Sequence, residues 1–155
     1  MIGYPSGVLG ILGNIEQTWI DSGLPKLVEK AKAFDYRLLM ATSNNLDLSK
    51  FTLDRDLEHL TPWLPKDTDK AFEKCEAILV PLSKARLVYS SPSKIIDCYM
   101  RGIQPIIITD PVAWEQNKNR FIYQCCVTED EFFETKKRFS AEELKLFSLN
   151  WIEQL

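Results

Sequence analysis

The feature that most constrains the fold is the alternation of short apolar runs with longer amphipathic segments. Runs that are apolar throughout are typical of strands buried on both faces of a sheet. Strands separated by helical segments are joined by right-handed crossovers. The sequence therefore predicts an α/β fold, a doubly wound and mostly parallel sheet flanked by helices, in one domain of residues 1–155. The predicted strands are Val8–Leu12, Tyr36–Ala41, Ala77–Leu82, Pro105–Thr109 and Phe121–Val127.

The segments between these runs carry helix signals. Apolar residues spaced three and four apart predict one amphipathic helix over Trp19–Phe34, with Pro25 tolerated in its first turn. The segment Leu57–Trp63 is only weakly patterned, and a helix is expected to begin near Asp67. Another helix is expected over Val112–Arg120.

Two capping boxes predict the last two helices. Thr128 with Glu131 begins a helix that extends to about residue 139, and Ser140 with Glu143 begins the final helix. The apolar face of that final helix either packs on the protein's own sheet or stays exposed and mediates dimerisation. This face comprises Leu144, Phe147, Trp151 and Leu155.

Composition and charge exclude several classes of protein. The chain has 155 residues, of which 45% are hydrophobic and 26% charged, and this mixture is typical of a globular domain. Its net charge of −3 disfavours nucleic acid as a partner, because phosphate-binding surfaces usually carry a basic excess. No apolar run approaches the ~18 residues of a membrane span, and the first residues do not resemble a secretory signal. We therefore expect a cytoplasmic protein.

The cysteines predict neither a disulfide framework nor a metal site. Cys75, Cys98, Cys125 and Cys126 form no Cys-x-x-Cys pair and have no metal-like spacing with His59. We expect them to be reduced, with the adjacent pair on opposite faces of a strand. No bound metal is expected.

The most informative segment is "SSPSKIIDCYMRGIQPIIITD", residues 90–110. Ser91 and Pro92 are typical of a helix start, and Gly102 of a helix end. The amides of a first helical turn attract phosphate, and Lys94 adds a positive charge there. Asp97 is a neighbour of Lys94 on the helix surface, and its carboxylate can chelate vicinal hydroxyls. The pair suits a ligand with a diphosphate and a sugar ring; the alternative is a surface ion pair worth ~0.3 kcal/mol.

A second candidate contact follows the first strand. Ligands of doubly wound sheets bind beyond the carboxyl ends of the strands, where the backbone amides of Gly13 and Asn14 could hold an anion. The sequence contains neither the Gly-x-Gly-x-x-Gly fingerprint nor a Gly-x-x-x-x-Gly-Lys-Ser/Thr loop. An ordinary dinucleotide enzyme and a P-loop NTPase are therefore disfavoured.

Residues 91–110 resemble the donor-site signature of the C-terminal domain of GT-B glycosyltransferases, the group-1 family in particular. The common form there is Pro-x-Lys-x-x-Glu-Tyr-x-Ala-x-Gly-x-Pro-Val-Val. The remaining segments are similar to that family in the same order, so the resemblance covers nearly the whole chain. They are "GILGNIEQTWID" for the first strand and turn, "YRLLMAT" for the second strand, "LTPWLP" for the third strand and its loop, "CEAILVPL" for the fourth strand and "FSLNWIEQL" for the last helix.

The resemblance implies a nucleotide-sugar donor, most commonly a UDP-sugar. Asp97 takes the place of the glutamate that hydrogen-bonds the ribose hydroxyls. Lys94 and the amides near Ser91 would lie at the diphosphate, and Gly13 with Asn14 would approach it from the other side. Nucleobase contacts come from the loop after the third strand. The corresponding residues here are Pro62, Trp63 and Leu64.

Three departures from the family pattern bear on these roles. Asp97 is one methylene shorter than the usual glutamate. Tyr89 stands where many members have a glutamate that contacts the donor sugar. The arginine and lysine that commonly clamp the diphosphate after the first strand are missing. Lys84 and Arg86, in the loop after the fourth strand, either substitute for them or are solvated loop cations.

The resemblance also implies a partner domain. A GT-B enzyme has two such domains, and the N-terminal one binds the acceptor, a glycan or lipid-linked sugar in polysaccharide or glycoconjugate synthesis. We therefore expect this chain to be the donor-binding half, inactive alone, without a cofactor or an assigned catalytic residue. A full enzyme of this kind can associate peripherally with the inner face of a membrane. The alternative is a non-catalytic α/β interaction or regulatory module.

Overall fold

The computed structural model describes residues 7–13, 15–42, 57–60, 65–89 and 93–153. Its strands belong to one sheet with the order β3-β2-β1-β4-β5-β6, in which the chain order reverses after β1 as in doubly wound folds. This arrangement, with helices between the strands, confirms the predicted α/β fold. The strands are β1 Val8–Leu12, β2 Arg37–Ala41, β3 Leu57–Leu60, β4 Ala77–Pro81, β5 Gln104–Ile108 and β6 Val127–Thr128.

Helices occupy most of the connections between these strands. They are α1 Gln17–Ser22, α2 Leu24–Ala33, α3 Pro65–Lys74, α4 Lys84–Tyr89, α5 Ser93–Arg101, α6 Pro111–Asn117, α7 Glu129–Phe133 and α8 Ala141–Glu153. A short 3₁₀ turn covers Phe121–Tyr123. The chain divides into two compact units, one ending at Ile78 and the other continuing from Leu79.

The first unit contains a parallel three-strand segment. In β1 and β2, Val8 lies opposite Arg37 and the register continues to Leu12 opposite Ala41. β2 then pairs in parallel with β3. Glu76, which is only 4% exposed, accepts hydrogen bonds from the Gly7 amide at 3.1 Å and the Tyr36 hydroxyl at 3.4 Å. This carboxylate ties together the residues that precede the first, second and fourth strands.

The predicted single helix over Trp19–Phe34 is wrong, because the chain forms α1 and α2 with a break at Gly23. The Gly23 amide bonds to the Trp19 carbonyl at 2.7 Å and closes α1. Pro25 occupies the first turn of α2, where its missing N–H costs nothing. In the interior of one continuous helix the same ring would clash with the preceding turn.

In the second unit, α8 packs against α5. The Tyr99 and Phe147 rings meet edge to face at 5.1 Å, and Leu144 is 1% exposed. Phe147 of the predicted apolar face thus packs on a helix rather than directly on the sheet, and Leu155 lies outside the described residues. Exposed apolar side chains lie instead on other positions of α8. They are Leu146, Leu149 and Ile152.

The predicted strand over Phe121–Val127 is wrong. The run begins with the 3₁₀ turn, and only Val127 pairs, in parallel, with Ile106 of β5. A continuous apolar run does not reveal its own conformation, and here it is buried as a compact turn. Cys125 and Cys126 are consequently both buried, rather than divided between two faces of a strand. All four cysteines of the chain are buried thiols.

Two further segments differ from their predictions. The segment containing Lys84 and Arg86 is a helix rather than a loop, because the Ser83 hydroxyl accepts the Arg86 amide at 3.2 Å and caps it. The weakly patterned segment forms β3 up to Leu60, while residues 61–64 lie outside the described part of the chain.

The predicted starts of α7 and α8 agree with the structure. The Thr128 and Glu131 capping box is present with both of its hydrogen bonds, and so is that of Ser140 and Glu143. α7 ends at Phe133, well short of residue 139, and Lys136 adopts a left-handed conformation with φ of 55°. That backbone conformation cannot continue a right-handed helix.

Candidate functional site

The helix that carries the candidate site is α5. Its inner face buries Ile95, Cys98 and Tyr99. The helix ends as the sequence predicts, at Gly102 with φ of 71°. The Gly102 amide bonds to the Tyr99 carbonyl and the Ile103 amide to the Cys98 carbonyl, which is the Schellman arrangement. The carboxyl end of α5 is therefore fixed by these bonds, and its inner face is buried in the core.

Lys94 lies in the first turn of α5 and is partly buried. Burial disfavours its charged form, and the nearby Arg86 guanidinium repels it, so the pKa of Lys94 lies below its usual 10.5. The structure thus brings two cations from different helices into one electrostatic neighbourhood. That proximity was not predicted, since the sequence separates them by eight residues.

Arg86 lies in the last turn of α4, where its side chain is exposed. Lys84 begins the same helix and is exposed as well. Because α4 is a capped helix rather than a loop, both side chains project from a defined backbone. Arg86 is the one whose charge reaches Lys94.

Asp97 lies one turn further along α5, on the same side as Lys94. Its Oδ1 accepts a hydrogen bond from Arg101 Nε at 2.9 Å, forming an ion pair four residues apart. The Asp97 side chain is 44% exposed. A carboxylate has further lone pairs beyond the one that Arg101 uses, so Asp97 can still accept ligand hydroxyls. The spacing of Asp97 and Arg101 could have revealed this partner from the sequence.

Gly13 belongs to the first unit and forms the predicted turn, with φ of 91°. Its amide, however, donates to the Ala41 carbonyl at 3.0 Å and extends the pairing of β1 with β2. A phosphate contact from this amide would require that bond to be given up. The structure therefore lends no support to the predicted anion contact of Gly13.

Other predicted contacts lie outside the described residues. They are Asn14, Ser91, Pro62, Trp63, Leu64 and the side chain of Tyr89. Within the described ranges, no group of three or more His, Cys, Asp or Glu residues could hold a metal ion. No helix there is both long and apolar enough to cross a membrane.

A cavity of about 290 Å³ lies at the carboxyl ends of β5 and β6. Ile107 and Trp114 form part of its apolar lining. Glu115, Glu129 and Asp130 contribute carboxylates. Three acidic side chains around one cavity repel a phosphate, so this cavity is not a candidate for the diphosphate.

Comparison with known proteins adds no family assignment. No protein-family model matches the sequence, and no curated protein matches it significantly. The functional reading therefore depends on the residues of α4 and α5.

Proposed function

We propose that this chain is the nucleotide-sugar donor-binding domain of a glycosyltransferase, with a UDP-sugar as the donor. The observation that carries the proposal is the position of Lys94 in the first turn of α5, where burial and the positive charge of Arg86 both disfavour its ammonium form. Two like charges held together destabilise the unliganded protein, and a bound anion reverses the sign of that interaction. A diphosphate is the anion that the segment's resemblance to a donor-site signature implies.

The first turn of α5 supplies further attraction for a phosphate. Amides at the start of a helix have no intrahelical acceptor, and the helix dipole places partial positive charge there. Ser93 and Lys94 occupy this turn, and Ser93 is exposed. The diphosphate would therefore meet backbone donors from α5 and side-chain cations from both helices.

Asp97 is the residue proposed to bind the ribose. It lies three residues after Lys94, about 4.5 Å further along the helix axis. A ligand with its diphosphate at Lys94 thus extends along α5 towards Asp97. Its ion pair with Arg101 holds the carboxylate in one orientation, and the exposed fraction leaves it accessible to the ribose hydroxyls.

The remaining parts of the proposal concern the complete enzyme. The acceptor, a glycan or lipid-linked sugar, would be bound by a separate N-terminal domain, in the cytoplasm. The leaving diphosphate would be stabilised by cations and amides rather than by a tightly bound metal. The donor base stays a prediction, because residues 61–64 are outside the described residues.

Titration with UDP, followed by amide NMR, tests the proposal. We expect shifts centred on Arg86, Lys94 and Asp97 with UDP, and much smaller shifts with uridine, which lacks the diphosphate. Lys94→Gln should weaken binding by about tenfold, since a charge-assisted hydrogen bond is lost. The matched control is Lys118→Gln, which removes an exposed lysine paired with Glu115. Silence at millimolar UDP, or equal affinity in both variants, would contradict the proposal.

The second candidate is a non-catalytic interaction or regulatory module. Two observations favour it: the Gly13 amide is used by the sheet, and Asp97 already has Arg101 as a partner. A module of this kind needs no nucleotide site. Silence of the wild-type chain in the UDP titration would support the module.

A further inference from the structure

Three hydrogen bonds converge on the carboxyl end of α4 from a distant part of the chain. Arg120 Nη1 donates to the carbonyl oxygens of Leu87 and Val88, both at 2.8 Å. The Tyr123 hydroxyl donates to the same Leu87 oxygen. Arg120 and Tyr123 lie just after α6 and in the 3₁₀ turn, more than 30 residues further along the chain.

These contacts meet a specific need of α4. The last carbonyls of any helix lack intrahelical donors, and a helix of six residues is marginal on its own. A guanidinium at the carboxyl end satisfies the carbonyls and also complements the helix dipole. Arg120 therefore stabilises a helix that is too short to be stable on its own.

The anchor packs on buried aromatic rings. The Arg120 guanidinium lies over the Tyr123 ring, 5.6 Å from its centre. Tyr123 is 4% exposed, and its ring packs edge to face on Trp114 at 5.4 Å. α4 is thus attached to the core of the second unit through the buried ring of Tyr123 and the Arg120 side chain that lies over it.

We propose that Arg120 is a positioning residue of the anion site, which holds the last turn of α4 so that Arg86 stays beside Lys94. Arg86 immediately precedes Leu87, whose carbonyl receives two of the three bonds. Loss of these bonds lets the end of α4 fray and moves Arg86 away from α5. The inference rests on the proposed function insofar as the anion is a diphosphate.

The main test compares Arg120→Gln with Arg138→Gln in UDP binding by calorimetry. Arg138 is a matched control, because its guanidinium also lies over an aromatic ring, 5.9 Å from the centre of Phe132. We expect Arg120→Gln to weaken UDP binding about threefold to tenfold, and Arg138→Gln to leave it unchanged. Arg120→Lys keeps the charge without the planar fork and should fall in between.

A double-mutant cycle distinguishes positioning from a general loss of structure. If Arg120 acts through Arg86, then Arg86→Gln weakens UDP binding severalfold in the wild-type chain and hardly at all in Arg120→Gln. Additive effects of the two substitutions would overturn the inference. If Arg120→Gln does not fold, Arg120→Lys replaces it in the same cycle with the same criterion.

A measurement without ligand separates this inference from the proposed function. NMR titration of the Lys94 side chain should give a higher pKa in Arg120→Gln than in the wild type, since Arg86 no longer repels it. Cys98, whose thiol also interacts electrostatically with Lys94, is the same in both proteins. An unchanged Lys94 pKa would overturn the inference. Failure of the wild type to bind UDP would overturn only the proposed function.

Discussion

Lys94 shows how burial and a neighbouring charge act together on one side chain. Both lower its pKa, so the folded chain binds fewer protons than the unfolded chain between the lowered pKa and 10.5. The free energy of unfolding therefore rises with pH through that window. Below this pH window, Lys94 is fully protonated in both the folded and the unfolded chain. The whole cost of holding its charge in the folded chain then lowers the free energy of unfolding. A negatively charged ligand beside Lys94 would relieve this cost.

We predict that UDP binding is accompanied by proton uptake at alkaline pH. A diphosphate beside Lys94 stabilises its ammonium form and raises its pKa, so the complex retains a proton that the unliganded protein has lost. Calorimetry in buffers of different ionisation enthalpy, over pH values up to 10.5, measures this uptake. Lys94→Gln should abolish it. Binding without proton exchange, or with proton release, would show that the anion lies elsewhere.

Asp97 gives a second prediction at the scale of one residue. Asp97→Ala should weaken UDP binding by about 1 kcal/mol, a modest loss because the carboxylate is 44% exposed. The wild type should prefer UDP to its 2′-deoxy analogue, and the variant should lose that preference. Glu115→Ala is the control, since Glu115 is an exposed carboxylate in a comparable ion pair with Lys118. A preference retained in Asp97→Ala would refute the ribose assignment.

Side-chain caps fix the starts of several helices in this fold. Ser83 caps α4, Asp110 accepts the Ala113 amide at the start of α6, and Thr128 caps α7. Each cap supplies an acceptor for an amide that the helix itself leaves unsatisfied. Close packing between elements imposes a second constraint, because it limits the size of the side chain that fits at a given position.

The capping box of α7 predicts an acid-dependent loss of stability. Burial alone would raise the pKa of Glu131, but the Thr128 amide and the Lys137 ammonium lower it overall. Its contribution is therefore complete above the ordinary value of 4.5 and is lost as the pH falls through the lowered pKa. Glu131→Gln should flatten this part of the unfolding free energy against pH. If the unfolding free energy depends on pH in the same way in Glu131→Gln, the capping box is not the source of the acid-dependent loss of stability.

The cap of the same helix can be tested separately at neutral pH. Thr128→Ala should cost about 1 kcal/mol, since the Glu131 amide loses its acceptor. Thr128→Ser keeps the hydroxyl and should cost much less. Chemical denaturation of both variants measures the difference, and equal losses would show that the methyl group matters more than the cap.

Close packing in the first unit predicts a steric effect at Gly10. A Cβ atom there would lie 2.6 Å from Cys75 Sγ and 3.0 Å from Ile78 Cδ1. Gly10→Ala should therefore destabilise the chain by about 1 to 3 kcal/mol. Cys75→Ala removes the nearer atom, so the double variant should lose less than the sum of the single ones. Additive losses in denaturant unfolding would contradict this packing.

At the scale of the whole molecule, the proposed donor-binding domain binds a sugar donor but does not complete glycosyl transfer by itself. Glycosyl transfer requires an acceptor held against the anomeric carbon, and lost orientation raises the barrier by several kcal/mol. Under the proposed function, α4 and α5 supply groups for the donor only.

We predict negligible glycosyl transfer by this chain alone, with UDP binding retained. Glycosyl transfer is measured by incubation with UDP-sugars and candidate acceptors, followed by mass spectrometry of the products. UDP binding is measured by calorimetry. Turnover that copurifies with the chain and disappears in Lys94→Gln would show that it carries a complete active site.

Strand bounds and helix caps could be predicted from the sequence alone, because they depend on residues that are close together in the chain. Four of the five predicted strands agree with the structure to within one residue, because unbroken apolar runs need burial on both faces. The capping boxes and the end of α5 at Gly102 are likewise set by residues within one or two turns. Such interactions can be read from spacing, because helix geometry makes residues three and four apart neighbours.

Only the tertiary structure decided the rest. The apolar run from Phe121 could be buried as a strand or as a turn, and packing selected the turn. The attachment of α4 by Arg120 joins residues 33 positions apart, and no local pattern encodes it. The repulsion between Arg86 and Lys94 likewise acts between two helices, α4 and α5. Contacts between distant residues arise from the packing of whole elements, so spacing in the sequence cannot reveal them.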